Sequence, residues 1–192
     1  TVTTRPCEVV SLSSAIDMVA LERLSSHTKG IIVVGTENPR CGDKAFTDAV
    51  ALISDKLGWP VIADALNPLR SHAEAIPLLI THYDAFLGDA HKAKELIPTA
   101  ILQIGNLPTS KMLRAWLSSL EAVSFLLTSR PINTDPLHRI ATPLYGDTQA
   151  LAEHLPPQLV EANWSKLWLE NELKTANELD SKMLSIETFF EG

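Results

Sequence analysis

Short runs of consecutive apolar residues, each followed by a polar loop with Gly or Pro, constrain the fold of this chain most. The run Ile31–Val34 consists of four branched residues between Gly30 and Gly35. Such a run is typical of a strand that is buried on both faces, because a strand with one exposed face would alternate polar and apolar residues. Further strands are predicted at residues 60–63, 100–104 and 123–127, with a short fifth strand at 139–142.

The segments between these runs have apolar residues at helical spacing. Helices are predicted over residues 12–26, 43–57, 110–120 and 147–154, with mostly helix over 65–98. Ser13 or Ser14 is the expected N-cap of the first helix. Because alternating strands and helices require a parallel sheet with right-handed crossovers, we predict an α/β fold. It is a Rossmann-like parallel sheet of about five or six strands with helices on both faces, in three α/β/α layers.

The last part of the chain differs in pattern. Residues 158–187 carry apolar side chains, among them Trp164 and Trp168, at helical spacing with Glu and Lys between them. This pattern predicts a long amphipathic C-terminal helix, in one piece or in two pieces with a kink. We divide the chain into an N-terminal connector and helix (1–28), a central α/β domain (29–156), and a C-terminal helix that leads toward a further domain (157–192).

Composition argues against several classes of protein. The 192 residues have a net charge of −7, whereas a nucleic-acid-binding surface needs a basic patch. No apolar run reaches the roughly 18 residues of a membrane span. The two cysteines, Cys7 and Cys41, form no C-x-x-C pair, and the six histidines lack ligand spacing. We therefore expect a cytoplasmic protein with reduced thiols and no metal site.

Loops that follow the carboxyl ends of parallel strands meet at one edge of the sheet, where α/β folds bind ligands. The polar residues of these loops include Arg40, Asp64, Asn67, Asn106, Ser129 and Asp135. The candidate residues for an anion site are Arg70, Thr109, Ser110, Lys111, Arg114 and Arg130. Backbone N–H groups at the start of the helix near Ser110 can bind an anion, or Thr109 or Ser110 simply caps that helix. Likewise, the cations either clamp a small carboxylate or pair with nearby Asp and Glu residues.

Several common catalytic motifs are absent. No G-x-G-x-x-G follows the first strand, where Gly35 stands alone, and the sequence has neither a P-loop nor a G-x-S-x-G nucleophile elbow. Nicotinamide, flavin and hydrolase functions are therefore disfavoured. The carboxylate pairs Asp17/Glu22 and Glu170/Glu172 are expected to form solvated helix faces. We predict no catalytic residue in this chain.

Stretches in order along nearly the whole chain resemble one family. They are Gly58–Asp64, Leu69–Arg70, Tyr83–Leu87, Gly105, Pro108–Arg114, Trp116–Leu117 and Asp135–Pro136. The family is 2-succinyl-5-enolpyruvyl-6-hydroxy-3-cyclohexene-1-carboxylate synthase, which belongs to menaquinone and phylloquinone biosynthesis. Its members resemble other thiamine-diphosphate enzymes in having three domains, and the resemblance here covers only the middle one.

The resemblance implies a parent transferase that condenses 2-oxoglutarate with isochorismate, using thiamine diphosphate and Mg²⁺. It also implies a homodimer or homotetramer in which the other two domains are the partners of this one. The family holds its cofactor with a Gly-Asp-Gly motif followed by an Asn pair. The nearest match, Gly42–Lys44 with Asn67, lacks the third Gly and the second Asn, so we expect no cofactor on this fragment.

The resemblance therefore implies a non-catalytic, structural domain, in which Arg70, Lys111, Arg114 and Arg130 are candidates for a regulatory site that takes an aromatic acid of the pathway. Two other interpretations remain open. One is a free-standing module that binds a nucleotide or an anion. The other is an interaction domain whose C-terminal helix packs on nothing within the chain and docks on a partner.

Overall fold

A parallel sheet of six strands forms the centre of the molecule. The computed structural model describes residues 16–36, 42–129, 137, 140–156 and 161–190. The strands are β1 (Gly30–Val34), β2 (Val61–Ala63), β3 (Leu79–Ile80), β4 (Ala100–Ile104), β5 (Val123–Thr128) and β6 (Ala141–Tyr145). Their order across the sheet is β3-β2-β1-β4-β5-β6, and every neighbouring pair is parallel. This arrangement confirms the predicted α/β fold.

Helices cover both faces of the sheet. They are α1 (Met18–Ser25), α2 (Asp43–Leu57), α3 (Tyr83–Leu87), α4 (Ala90–Glu95), α5 (Lys111–Ser118), α6 (Thr148–His154) and α7 (Ala162–Phe190). Ile32 and Val34 of β1 belong to a core that includes α1, α2 and α6. Ile31 and Val33 belong to a second core, with α3, α5 and α7, on the opposite face. Since side chains alternate along a strand, one apolar run fills both cores, and the three-layer prediction is confirmed.

Helix boundaries agree with the sequence pattern more closely for α2 than for α1. Helix α2 spans the predicted residues and ends at Gly58, whose φ of 64° lies in the left-handed region. Helix α1 begins at Met18, because the Asp17 carboxylate accepts the N–H of Val19 at 2.9 Å and caps it. The N-cap of α1 is therefore Asp17, which is a cap rather than part of a merely solvated face, and the predicted caps Ser13 and Ser14 lie outside the described residues.

Two strands differ from the prediction. The segment predicted as mostly helix contains a 3₁₀ helix at Pro68–Ala75 and helices α3 and α4, but also the edge strand β3. A strand of two residues is too short to show a periodicity, so tertiary pairing with β2 decides it. Strand β6 lies a few residues later than the predicted 139–142. It contains Pro143, which an edge strand tolerates because one side of that strand has no hydrogen-bonding partner.

Helix α7 is one continuous helix, and its first half packs on the domain. The Trp168 side chain is fully buried, and its ring contacts those of Phe86, Trp116 and Trp164 edge to face, with centroids 5.9, 6.0 and 6.0 Å away. The indole Nε1 of Trp164 donates to the carbonyl oxygen of Gly30 at 2.8 Å. The interpretation in which this helix packs on nothing within the chain is therefore wrong for this half.

The second half of α7 extends past the body of the domain. All described side chains from Asn177 to Met183 are exposed. Leu179 and Met183 are the large apolar side chains of this segment, with exposed fractions of 38% and 63%. No helix in the described part of the chain has both the length and the apolar content that are needed to cross a membrane.

Glu172 fixes α7 to the turn between β3 and α3, contrary to the expectation that it is solvated. One carboxylate oxygen, Oε1, accepts the Thr81 N–H at 2.8 Å and the Thr81 hydroxyl at 2.6 Å. The other, Oε2, accepts the His82 N–H at 3.0 Å. The His82 ring nitrogen Nδ1 also lies 2.8 Å from Oε1. The sequence did indicate that Glu172 is buried, since the spacing of four residues puts it on the same helix face as Trp164 and Trp168.

Replacement of Glu172 by alanine is expected to lower the free energy of unfolding by about 2 kcal/mol, because backbone and hydroxyl donors lose a charged acceptor. Urea unfolding followed by circular dichroism measures this change. Glu170→Ala is the control: Glu170 is exposed and, within the described part of the chain, pairs with Lys166 at 3.7 Å, so its loss is expected to change stability by less than about 0.5 kcal/mol. Equal effects of the two variants would contradict the role of Glu172.

Candidate functional site

The strand order places a topological switch point between β1 and β4. From β1 the chain builds outward through β2 to β3, and then returns to β4 on the other side of β1. In doubly wound sheets, ligands bind outside the carboxyl ends of the strands at such a point, where the two following loops diverge. The loops after β1, β2 and β4 therefore decide whether this chain has a ligand crevice.

The loops after β1 and β4 touch each other at this point. The Gly35 N–H donates to the carbonyl oxygen of Ile104 at 3.2 Å, and the Asn106 side-chain amide donates to the carbonyl oxygen of Thr36 at 3.2 Å. A Cβ atom on Gly35 would overlap the carbonyl oxygen of Asn106. Glycine at this position thus allows backbone to approach backbone, and the approach closes the space between the described parts of the two loops.

Asn67 connects the loop after β2 to the same place. Its side chain is buried, its Nδ2 donates to the carbonyl oxygen of Gly35 at 2.6 Å, and its Oδ1 accepts the N–H of Leu69 at 3.0 Å. Both ends of the amide are therefore engaged by backbone. Asn67 therefore links the loop after β2 to the loop after β1, and it is also the N-cap of the 3₁₀ helix.

Asp64, at the carboxyl end of β2, joins this strand to the start of α5. The residue is fully buried. Its Oδ2 accepts the Thr109 N–H at 2.6 Å and the Thr109 hydroxyl at 2.9 Å, and its Oδ1 accepts the Leu66 N–H at 3.0 Å. Burial alone would raise the pKa of Asp64, but the hydrogen bonds from Leu66 and Thr109 and the charge of Arg70 outweigh it, so the pKa lies below its usual value.

Replacement of Asp64 by asparagine is expected to lower the free energy of unfolding at pH 7 by about 2 kcal/mol, since a charged acceptor of three hydrogen bonds becomes a neutral amide. A depressed folded-state pKa stabilises the protein above the unfolded-state pKa, and that stabilisation is lost as the pH falls through the folded-state value. The difference between wild type and Asp64→Asn should thus shrink below about pH 4. Urea unfolding at pH 7 and pH 3 measures it, and a difference that is independent of pH would contradict the role of the charge.

Arg70 lies at the same edge, with its guanidinium directed inward. Its Nε and Nη2 donate to the carbonyl oxygen of Ala63 at 3.3 and 3.1 Å, and its cation lies 5.7 Å from the centre of the Tyr83 ring. Burial, with the Asp84 carboxylate, raises the pKa of Tyr83. Arg70 therefore donates to the last carbonyl oxygen of β2, and its guanidinium contacts the Tyr83 ring of α3.

The start of α5 shows which role its hydroxyls have. The Ser110 hydroxyl oxygen accepts the N–H of Leu113 at 3.0 Å, which makes Ser110 the N-cap, and the hydroxyl donates to the Asp84 carboxylate. The Ser110 hydroxyl therefore has the capping role that the sequence suggests for Thr109 or Ser110. Thr109 gives both its N–H and its hydroxyl to Asp64.

The remaining candidate cations differ in how they are engaged. The Arg114 Nε donates to the carbonyl oxygen of Pro108 at 2.5 Å, and its Nη2 donates to that of Leu107 at 3.3 Å. The Lys111 side chain is exposed and forms no hydrogen bond or ion pair with any described residue. Arg130 lies outside the described residues. The structure thus brings Arg70, Thr109 and Ser110 together around Asp64, Tyr83 and Asp84.

The described residues do not fit a magnesium diphosphate group. They contain no cluster of three or more His, Cys, Asp or Glu side chains that could hold a metal ion. Gly42 and Asp43 begin α2, and the Asn67 amide is used by Gly35 and Leu69. We therefore derive no chemical step through such a group at this edge.

Comparisons with known proteins agree with this arrangement. Residues 10–188 match the family described as "Middle domain of thiamine pyrophosphate". A curated relative from Trichodesmium erythraeum, named 2-succinyl-5-enolpyruvyl-6-hydroxy-3-cyclohexene-1-carboxylate synthase, is 35% identical over 188 residues, which are 96% of this chain and 32% of the relative. A relative of the same name from Synechococcus elongatus is 40% identical over 146 residues, 76% of this chain and 25% of the relative.

A third relative of that name, from Synechococcus sp. (strain JA-3-3Ab), is 36% identical over 165 residues, 85% of this chain and 27% of the relative. The chain therefore spans a quarter to a third of the length of these relatives. The family match covers nearly all of the sequence, including every strand of the sheet. The chain belongs to the family of thiamine pyrophosphate enzyme middle domains.

Proposed function

We propose that this chain is the middle domain of a longer thiamine-diphosphate-dependent synthase, a transferase that condenses 2-oxoglutarate with isochorismate in menaquinone or phylloquinone biosynthesis. Relatives with that name match most of this chain at 35–40% identity, and each is three to four times longer than the matched segment. Thiamine diphosphate and Mg²⁺ then bind elsewhere in the longer protein. The other two domains are the partners of this one, in a cytoplasmic homodimer or homotetramer.

Within that enzyme, the role we propose for the domain is structural. The observation that carries this proposal is the contact between the described parts of the loops at the carboxyl edge of the sheet. Gly35 and Asn106 bring two loops into contact at the switch point, and Asp64 takes the donors of Thr109. The same observation disfavours the alternative of a free-standing nucleotide-binding module, which needs an open crevice at this point.

A domain exchange tests this proposal. The 188-residue segment of the Trichodesmium erythraeum synthase that aligns with this chain is replaced by the sequence described here. The chimera is expected to keep most of the turnover of 2-oxoglutarate and isochorismate with thiamine diphosphate and Mg²⁺. A chimera that carries Gly35→Ala is the matched control, and it is expected to lose both folding and turnover.

Two outcomes would contradict the proposal. The first is a chimera that folds and binds thiamine diphosphate but has no turnover. The second is turnover by the 192-residue chain alone, because a structural domain supplies no catalytic group.

We also propose a regulatory role for the same edge, in which a small aromatic carboxylate binds and changes the activity of the longer enzyme. The observation in favour is Lys111, an exposed cation without a described partner at the start of α5. An unpaired cation in a chain of net charge −7 attracts anions locally. The proposed contacts are Arg70, Thr109, Ser110, Lys111, Arg114 and Arg130.

Titration calorimetry of the full-length protein with 1,4-dihydroxy-2-naphthoate tests this second role. Binding is expected, and Lys111→Ala is expected to weaken it about tenfold through loss of one charged contact. Lys94→Ala, an exposed lysine on α4, is the control and should leave binding unchanged. Absence of binding by the unmutated protein would refute the regulatory role and leave the structural one intact.

A further inference from the structure

The Asp64 carboxylate lies in a cradle of three donors. Thr109 contributes its N–H and its hydroxyl to one oxygen, at 2.6 and 2.9 Å, and Leu66 contributes its N–H to the other, at 3.0 Å. No part of Asp64 is exposed to solvent. Arg70 adds positive charge nearby. The cradle therefore satisfies both oxygens of a planar carboxylate and excludes water from it.

The cradle lies at the edge of the sheet where α/β folds bind ligands. It lies at the carboxyl end of β2 and joins that strand to the loop after β4, across the switch point between β1 and β4. Doubly wound sheets use loop N–H groups at this edge to hold the anionic group of a ligand. Here the anion comes from the chain itself.

We propose that Asp64 is an intramolecular ligand, which occupies a carboxylate-binding site at the switch point and thereby keeps external anions away from these three donors. Without the side chain, the same three donors would form a site for a free carboxylate. The site has the size of a carboxylate group, because two oxygens accept all three hydrogen bonds. Formate is therefore its best probe, and inorganic phosphate is too large for it.

Chemical rescue of Asp64→Ala tests the proposal. The melting temperature of the variant is measured in sodium formate and in sodium chloride of equal ionic strength. Formate is expected to raise it by about 3 °C or more over chloride, and to leave wild type unchanged. In ¹H–¹⁵N spectra, the Thr109 amide proton should move upfield in the variant and return downfield with formate, because a short charge-assisted hydrogen bond is lost and restored.

Two further variants separate ligand replacement from general stabilisation by salt. Asp147→Ala also removes a carboxylate that accepts a backbone N–H, that of Ala150 at 2.8 Å, but from an exposed cap, so formate should not rescue it. Asp64→Asn fills the cradle with an amide, so formate should not rescue it either. Where Asp64→Ala is unfolded in chloride, the measurement is the recovery of the native circular dichroism spectrum on dilution from urea into formate.

Each outcome decides the question. Rescue of Asp64→Ala by formate, in melting temperature or in refolding, supports the proposal. Three results would overturn it: no advantage of formate over chloride in either measurement, equal rescue of Asp147→Ala, or better rescue by phosphate than by formate. None of these results depends on the activity of the longer enzyme.

Discussion

The Gly35→Ala variant is expected not to reach the native fold, or to lose at least about 3 kcal/mol of its free energy of unfolding. The added Cβ would overlap the carbonyl oxygen of Asn106, which is a backbone atom that no rotamer change can remove. The overlap could be removed only if the loop after β4 moved away from Gly35. That movement would stretch the hydrogen bonds of the Gly35 N–H to Ile104 and of the Asn106 amide to Thr36. Urea unfolding followed by circular dichroism measures the loss.

Gly88→Ala is the matched control for this prediction. Gly88 ends α3 with φ and ψ of −68° and −20°, and an added Cβ would lie 3.6 Å from its nearest neighbour, the carbonyl oxygen of Asp84. Alanine is therefore expected to be neutral there, or to stabilise the protein by about 0.5 kcal/mol because the unfolded chain loses conformational freedom. A Gly35→Ala variant as stable as Gly88→Ala would mean that the two loops at the switch point do not touch.

The sheet could be predicted because its central strands are read from local sequence. Ile31–Val34 is a continuous apolar run, and Ala100–Ile104 is apolar except for Gln103. Such runs are typical of strands that are buried on both faces, so neighbouring residues alone identify them. Strand β3 could not be found in this way. Two residues show no period, and only the pairing of Leu79 and Ile80 with Val61 and Ile62 makes them a strand.

The candidate site was predictable in its location but not in its contacts. Parallel topology brings Asp64 and Thr109 to one edge, and the sequence shows that both follow strands. Their hydrogen bonds join residues that are 45 positions apart, and nothing local distinguishes a carboxylate that binds a ligand from one that binds a loop. The requirement for glycine at position 35 has the same origin, because Asn106 creates it from a distant part of the chain.

The Trp168→Ala variant is expected to lose about 3–5 kcal/mol of its free energy of unfolding, the typical cost of removing a large buried side chain. Trp168 is fully buried where α7 meets the sheet, and its ring touches those of Phe86, Trp116 and Trp164. Its removal leaves a cavity that three rigid rings cannot fill by small rotamer changes. Because Trp168 and Glu172 both attach α7, the helix should become accessible to proteases before the sheet unfolds.

Comparison with two other variants identifies packing as the cause. Leu173→Ala lies on the same helix, but Leu173 is 61% exposed, so its expected cost is within about 0.5 kcal/mol. Trp168→Phe keeps one aromatic ring and removes an indole N–H that finds no acceptor among the described residues, so it should cost about 1–2 kcal/mol. The expected order of losses is thus Trp168→Ala, Trp168→Phe, Leu173→Ala, measured by urea unfolding. A Trp168→Ala variant no less stable than Leu173→Ala would show that α7 does not pack on this domain in solution.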